Sequence, residues 1–331
     1  MLNYILRRIL YSVPLLVLVA CVTFFIITLP PGDYMTALEG ELVSKAGLSA
    51  QEAKEISDQL REHYGLDKTI WVQFGKWFLG LLKGDLGYSF KFRKPVAEVI
   101  WTFLGWTFLI AFCSFVVSAV GGILPGIYSA TNQYGIGDNL LTTLAYIGLS
   151  IPNFFLALLM MYLIVFHFEV KSVDGLFSPD TVMQPWSWAK FIDFLNHFWL
   201  PVLVIGVAGT ARNMRVMRGN LLDVLDQPYV QAARAKGLSE FTVINKHAVR
   251  NAIQPIIMSF GMSLPWLIEG SLTTAYVLNL PTTGPVFLEA LLSQDMYLAG
   301  SFLMVIAVVT IIGNILADIA LAAVDSRVRY E

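Results

Sequence analysis

The chain has 331 residues, of which 56% are hydrophobic and 14% are charged, and its net charge is −2. Soluble domains carry about 25% charged residues, so this composition excludes a water-soluble enzyme. It also excludes a disordered chain, which combines low hydrophobicity with high net charge. A nucleic-acid-binding protein would show a basic excess that is missing here. Cys21 and Cys113 lie in apolar runs and are expected to be small buried side chains rather than a disulfide or metal pair.

Six stretches of the chain are apolar enough to cross a bilayer, which takes roughly 20 residues of helix. They cover residues 9–29, 99–130, 140–168, 194–211, 252–275 and 296–323. The sequence therefore predicts an all-α integral membrane protein with six transmembrane helices. Pro152 predicts a kink in the third helix. Gly122 and Gly126 form a G-x-x-x-G step in the second, where another helix can approach closely.

Basic residues place both termini on the cytoplasmic side of the cell membrane. Arg7 and Arg8 precede the first span, and residues 212–250 contain seven Lys and Arg. This topology predicts four parts: residues 1–29 (N-terminus and first span), 30–98 (an extracytoplasmic insertion), 99–323 (the other five spans, with a cytoplasmic loop at 212–251) and 324–331 (a cytoplasmic tail).

The insertion at residues 30–98 contains signals for a small amphipathic helix. Ser49 and Glu52 have the spacing of a capping box, and Gly65 is a plausible stop. Apolar side chains recur between them at helical spacing, at Ala53, Ile56, Leu60 and Tyr64. The aromatic residues that follow are typical of a membrane-interface belt: Trp71, Phe74, Trp77 and Phe78.

The cytoplasmic stretch from Asp226 to Ser239 carries the strongest functional signal. Asp226 and Pro228 predict a helix start, three alanines favour helix, and Gly237 predicts its end. Ser239 and Glu240 then begin a further helix toward the membrane. A short helix with basic flanks suits insertion into a groove on another protein. An ordinary positive-inside connector is the alternative, and the pattern alone leaves both open.

The stretch Tyr229-Val230-Gln231-Ala232-Ala233-Arg234-Ala235-Lys236-Gly237-Leu238-Ser239 resembles the coupling loop of ABC importer permeases, in particular the first permease of the dipeptide/oligopeptide/nickel class. Gln231 stands where the family writes Glu. Residues 246–252 with Pro255, residues 65–68 and 84–89, Asn314, Asp318 and residues 325–329 also resemble the family, with Ser326 in place of a usual Pro. Residues 275–285 depart from it, which leaves the substrate open.

The resemblance implies a permease subunit that is not itself an enzyme. Its partners would be a second homologous permease, two cytoplasmic ATP-binding subunits and an external solute-binding protein, with ATP and Mg on the partner subunits. No Gly-Lys-Ser or Gly-Lys-Thr phosphate loop occurs in the sequence. Peptide, oligosaccharide and nickel chelate stay open as substrates. The residues implied to couple to the ATPase are Asp226, Gln227, Pro228, Tyr229, Val230, Gln231, Ala232, Ala233, Arg234, Ala235, Lys236 and Gly237.

Several residues outside this stretch carry weaker expectations. Glu269 in the fifth span is either a functional carboxylate or an interfacial one, and Asp318 is expected to pair with an arginine. Arg212, Arg215 and Arg218 are expected to anchor the inner membrane interface, and His167 and His197 the outer one. The substitution Ala233→Arg is expected to block docking without unfolding the chain. The alternative function is an ion-coupled secondary transporter of a small solute, although we find no repeat of the kind such proteins show.

Overall fold

A computed structural model describes residues 2–167, 173–259 and 272–324, with side chains from residue 7 onward except those of residues 317 and 320–324. The chain divides into two compact units. The first consists of Met1–Gly105 with Thr282–Ile311, and the second of Trp106–Pro281 with Ile312–Glu331.

The described elements are almost entirely helical. The helices before residue 96 are α1 (Leu2–Thr28), α2 (Tyr34–Ala46), α3 (Ala50–Tyr64) and α4 (Ile70–Leu82). Two short strands, β1 (Tyr88–Ser89) and β2 (Lys94–Pro95), then pair antiparallel. The helices that follow are α5 (Val96–Thr131), α6 (Ile136–Ser150), α7 (Asn153–His167), α8 (Trp188–Leu225), α9 (Pro228–Ala235) and α10 (Glu240–Thr242). A π-helix (Val243–Ala248) continues into α11 (Val249–Ala252), and the last helices are α12 (Leu272–Val277), α13 (Thr283–Leu292) and α14 (Met296–Val324).

Four helices are long and apolar enough to cross a membrane: Arg7–Thr28, Val96–Thr131, Trp188–Leu225 and Met296–Leu316. The third predicted span is instead the pair α6 and α7, which bend by 102° at a break that includes Pro152. Counting that pair as one span gives five within the described part of the chain. Half of the fifth predicted span, with Trp266 and Glu269, lies outside the described residues, as does the tail from residue 325.

The predicted helix of the insertion is confirmed with both of its ends. The Ser49 side chain accepts from the backbone N–H of Glu52, the Glu52 carboxylate accepts from the N–H of Ser49, and Gly65 closes α3 at φ 73°. An ion pair holds α3 against α2, because Arg61 donates from Nε to Asp33 Oδ2 at 2.8 Å and from Nη2 to Oδ1 at 2.9 Å. Burial alone would raise the pKa of Asp33, but the hydrogen bonds from Arg61 and Thr36 outweigh it and hold the pKa below its usual value.

The predicted aromatic belt is wrong for Trp77. Its ring is buried on α4 against Phe24 of α1, with ring centroids 5.6 Å apart, and its indole N–H faces Ser301 Oγ at 3.4 Å. Phe74 also packs on Phe24, whereas Trp71 stays largely exposed. Trp71 also contacts α1, because its ring centroid lies 5.1 Å from that of Phe25, so the exposed Trp71 lies at the rim of the same contact that buries Trp77. Cys21 and Cys113 are free and only partly buried.

Candidate functional site

Helix α9 forms where the coupling stretch was predicted, with a shifted start. Pro228 takes the first helical position, so the N-cap of α9 is Gln227. Asp226 is instead the C-cap of α8. Proline suits the first helical position because its missing N–H has no partner there anyway. The helix ends at Ala235, and Gly237 follows at φ 76°, as predicted for a stop. The prediction of Asp226 as the cap is therefore wrong by one residue.

One face of α9 is packed on its own chain. Val230 and Ala233 are 0% and 6% exposed. They belong to one buried apolar cluster with side chains from α5, α8, the π-helix and α11, which we call the α9 seat: Ala130, Met217, Leu221, Val243, Ala248 and Ala252. This contradicts the expectation that Ala233→Arg leaves the chain folded, because Ala233 faces the seat. Residues 212–225, which were predicted as part of a cytoplasmic loop, are instead a continuation of helix α8.

The opposite face of α9 is exposed. Tyr229, Gln231, Ala232, Ala235 and Lys236 all have exposed side chains. Two of them are anchored at their polar ends: Tyr229 Oη accepts from Asn251 Nδ2 at 2.6 Å, and Gln231 Nε2 donates to the carbonyl of Leu225 at 3.2 Å. The exposed face of α9 therefore has two alanines at its centre and fixed polar groups beside them.

Arg234 ties α9 to the helix that follows. Its Nη2 lies 2.7 Å from Glu240 Oε1, and its Nε also donates to this carboxylate. The hydrogen bond from Arg234 lowers the pKa of Glu240. With Gln231 and Tyr229 anchored as well, α9 is held at its start, middle and end. Displacing it would therefore move its seat with it.

Under the seat, helices α5 and α8 approach closely at the predicted glycine step. A Cβ added at Gly122 would lie 2.5 Å from Cβ of Asn213, and one at Gly126 would lie 2.7 Å from Cβ of Met217. Real Cβ atoms essentially never approach so closely, so only glycine fits at both places. The expectation of close helix approach at Gly122 and Gly126 is confirmed.

A buried ion pair, which the sequence analysis missed, lies beside the seat. Arg218 donates from Nε to Asp138 Oδ1 and from Nη2 to Oδ2, both at 2.8 Å. Asp138 is 1% exposed. Arg218 is therefore paired inside the fold, which corrects its assignment as an interface anchor. Arg215 instead lies over the exposed ring of Tyr146, 5.2 Å from the centroid. The only sequence signal was one acidic residue in an otherwise uncharged connection.

The other candidate residues that the structure describes do not gather into a site. His197 is buried on α8 with Nδ1 2.8 Å from the carbonyl of Asp193, so its assignment to the outer interface is wrong. Ala275 and Leu278, from the segment that departs from the family, are buried in the core of the second unit, so they do not line a surface. Asp318 is partly exposed near the end of α14. Among the described residues, no group of three or more His, Cys, Asp or Glu is placed to hold a metal ion.

With several helices able to cross a bilayer, the chain is a multi-pass membrane protein. Residues 122–330 match the family described as binding-protein-dependent transport system inner membrane component, and residues 1–111 match the family of its N-terminal part. The chain belongs to this family, and it is an ABC importer permease of the dipeptide and oligopeptide class.

Relatives that match nearly the whole length of the chain are named for the transport of peptides. The oligopeptide transport system permease protein AppB of Bacillus subtilis is 33% identical over 99% of both chains. The dipeptide transport system permease protein DppB of Escherichia coli K12 is 29% identical over 100% of both chains. The glutathione transport system permease protein GsiC of Pectobacterium atrosepticum is 30% identical, again over 100% of both.

Proposed function

We propose that the chain is one of two permease subunits of a binding-protein-dependent importer of short peptides, and that α9 couples it to the ATPase. In this proposal the chain crosses a prokaryotic cell membrane six times with both termini inside. It lines half of the pathway beside a second homologous permease. An external binding protein delivers the solute, and two cytoplasmic subunits bind ATP and Mg.

The observation that carries the coupling role is that α9 is buried on one side and exposed on the other. Val230 and Ala233 are buried in the seat, while Ala232 and Ala235 are exposed on the other side. A helix with no partner would be expected to place charged residues, rather than alanines, at the centre of its exposed face. Small side chains leave room for the walls of a groove, which supports docking of this face on another protein.

The mechanical step follows from these contacts. Closure of the ATP-bound subunits would move the groove that holds α9. Because α9 is packed on Met217 and Leu221 of α8 and tied to Glu240 by Arg234, its displacement would carry the inner end of α8 with it. A gate that changes from mostly closed to mostly open needs about 5 kcal/mol of differential binding, which ATP-driven closure would supply.

The substrate class rests on the names of the relatives. The three described above are named for oligopeptide, dipeptide and glutathione transport. This favours peptides over the oligosaccharides and nickel chelates that the sequence left open. The chain would contribute a path for an extended, polar solute whose identity the external binding protein selects.

Uptake by the reconstituted importer tests the function. The chain, its second permease, the ATPase subunits and the binding protein are placed in proteoliposomes with ATP inside, and labelled di- to pentapeptides are added outside together with the binding protein. We expect uptake that needs ATP and the binding protein, and that continues when ionophores collapse the ion gradients. Uptake that ignores ATP and stops with the ionophore would contradict the proposal and favour the ion-coupled transporter.

Cross-linking tests the docking of α9 separately. In a chain carrying Cys21→Ala and Cys113→Ala, a single cysteine at Ala235 should cross-link to an ATPase subunit through a short bifunctional reagent. Two matched controls should not: Ala233→Cys, whose side chain faces the seat, and Ser44→Cys, which is exposed on α2. Equal cross-linking from all three positions, or none from Ala235, would overturn the assignment of α9.

A further inference from the structure

Three helices of the second unit, and the connection between two of them, meet at the Asp138 carboxylate. The carboxylate accepts two hydrogen bonds from Arg218 of α8, one from Ser129 of α5, and one from Thr142 of α6 at 3.1 Å. The N–H of Tyr134, in the connection between α5 and α6, donates to Oδ2 at 2.9 Å. Five donors thus converge on a side chain that is almost fully buried, which fixes the corner between α5 and α6 against α8.

This ion pair is continuous with the α9 seat. Ser129 precedes Ala130, and Arg218 follows Met217, and both of these neighbours belong to the seat. Leu221, one turn further along α8, is a third member. The same turns of α5 and α8 therefore hold α9 through apolar side chains and hold Asp138 through polar ones.

Besides this ion pair and the contact of Arg215 with the ring of Tyr146, α6 and α8 meet through apolar side chains. Ala145 of α6 packs with Ala211 and Met214 of α8, and a Cβ at Gly148 would lie 3.3 Å from Val207. Apolar contacts are non-directional, so this surface alone permits α6 to slide along α8. A guanidinium that donates two parallel hydrogen bonds to one carboxylate fixes direction as well as distance.

Stability alone gives little reason for charges at this position. Asp138 loses its hydration and Arg218 loses part of it, and well-packed apolar residues in place of such a pair are often as stabilising. What the ion pair adds to an apolar contact is direction, because two parallel hydrogen bonds to one carboxylate restrict sliding between the two helices.

We propose that Asp138 and Arg218 are positioning residues for coupling, which make the α5–α6 corner and helix α6 follow α8 when α9 is displaced. This inference rests on the proposed role of α9. Without the ion pair, the ATPase would still close on α9 and move α8, but α6 would lag behind. ATP would then be hydrolysed without a matching movement of the path.

The test measures ATP hydrolysed and peptide imported in the same proteoliposomes, at equal amounts of assembled importer. Arg218→Met removes the charge and both hydrogen bonds, and Arg218→Lys keeps the charge but not the two-point geometry. We expect the ratio of ATP to peptide to rise about fivefold or more in Arg218→Met, the low end of typical coupling effects, and to a lesser degree in Arg218→Lys. The matched control is Asp223→Asn, which removes an exposed charge five residues further along α8 and should leave the ratio unchanged.

The outcomes separate this inference from the proposed function. If the wild-type importer shows no ATP-dependent uptake, the proposed function fails. If the wild type transports and Arg218→Met and Arg218→Lys keep its ratio, the pair is only structural and the inference is overturned while the function stands. Where Arg218→Met does not assemble, Arg218→Lys decides: a raised ratio supports the proposal, and a wild-type ratio contradicts it.

Discussion

Ala232 and Ala233 are adjacent in the chain, but the side chain of Ala233 is buried and that of Ala232 is exposed on α9. Ala233 is packed in the seat formed by α5, α8 and the π-helix, whereas the methyl group of Ala232 is exposed. Residues that follow each other in a helix are about 100° apart, so one can be core and the next surface. In the proposed mechanism, Ala233 therefore contributes to folding and Ala232 to docking of the same helix.

The first prediction uses this pair of alanines. Ala233→Arg is expected to lower the free energy of unfolding by about 1–3 kcal/mol, because the seat has no room for the longer side chain and no partner for its charge. Ala232→Arg should leave stability within about 0.5 kcal/mol, as exposed substitutions usually do, yet abolish coupled uptake. Thermal unfolding in detergent and ATP-dependent uptake measure the two effects. Full uptake by a stable Ala232→Arg variant would contradict the docking role of this face.

The second prediction concerns the close crossing of α5 and α8. Gly126→Ala is expected to cost about 1–3 kcal/mol of stability, because the added Cβ would overlap Met217 and the helices would have to separate. The control is Gly219→Ala on α8, where an added Cβ meets no atom within 4 Å. Alanine there should stabilise the helix by roughly 0.5–1 kcal/mol. In thermal unfolding, Gly126→Ala should lower the stability and Gly219→Ala should raise it. Equal changes in stability for the two variants would contradict the close packing at Gly126.

Features encoded within a few residues were predictable from the sequence. The capping box at Ser49, the helix end at Gly65 and the break at Pro152 all depend on neighbours along the chain, and all appear in the structure. The step formed by Gly122 and Gly126 predicted where another helix approaches closely, but it did not predict that this helix is α8.

Features that depend on distant partners were not predictable. Trp77 was expected at a membrane interface, but Phe24 and Ser301, far away in sequence, bury it. The face of α9 that carries Ala233 is decided by Met217 and Leu221 of another helix. Periodicity shows that a helix has two faces, but the identity of the buried face follows from contacts that a single sequence does not contain.

The third prediction concerns acid stability in the insertion. The folded-state pKa of Asp33 lies below its ordinary value of 3.8. The stabilisation from this carboxylate is therefore fully present above pH 3.8 and is lost as the pH falls through the lower, folded-state value. Hydrogen exchange of residues 34–64 between pH 5 and pH 2.5 should show protection falling only at the acid end. In Arg61→Gln the loss should begin at higher pH, and an unchanged profile would contradict the role of the Asp33–Arg61 pair.

The fourth prediction measures the energy of the buried pair itself. Removing Arg218 leaves the buried Asp138 charge uncompensated, so Arg218→Met should cost about 3–5 kcal/mol of unfolding free energy. Asp138→Asn should cost less, because the Arg218 side chain is 24% exposed and water reaches it. The double variant should cost clearly less than the sum of the single variants, because neither charge then remains unpaired. The same cycle on Arg234 and Glu240, whose carboxylate is exposed to solvent, should show a far weaker interaction, since water screens it. Additive losses at Asp138 and Arg218 in reversible unfolding from mixed micelles would show that the two side chains do not act as a pair.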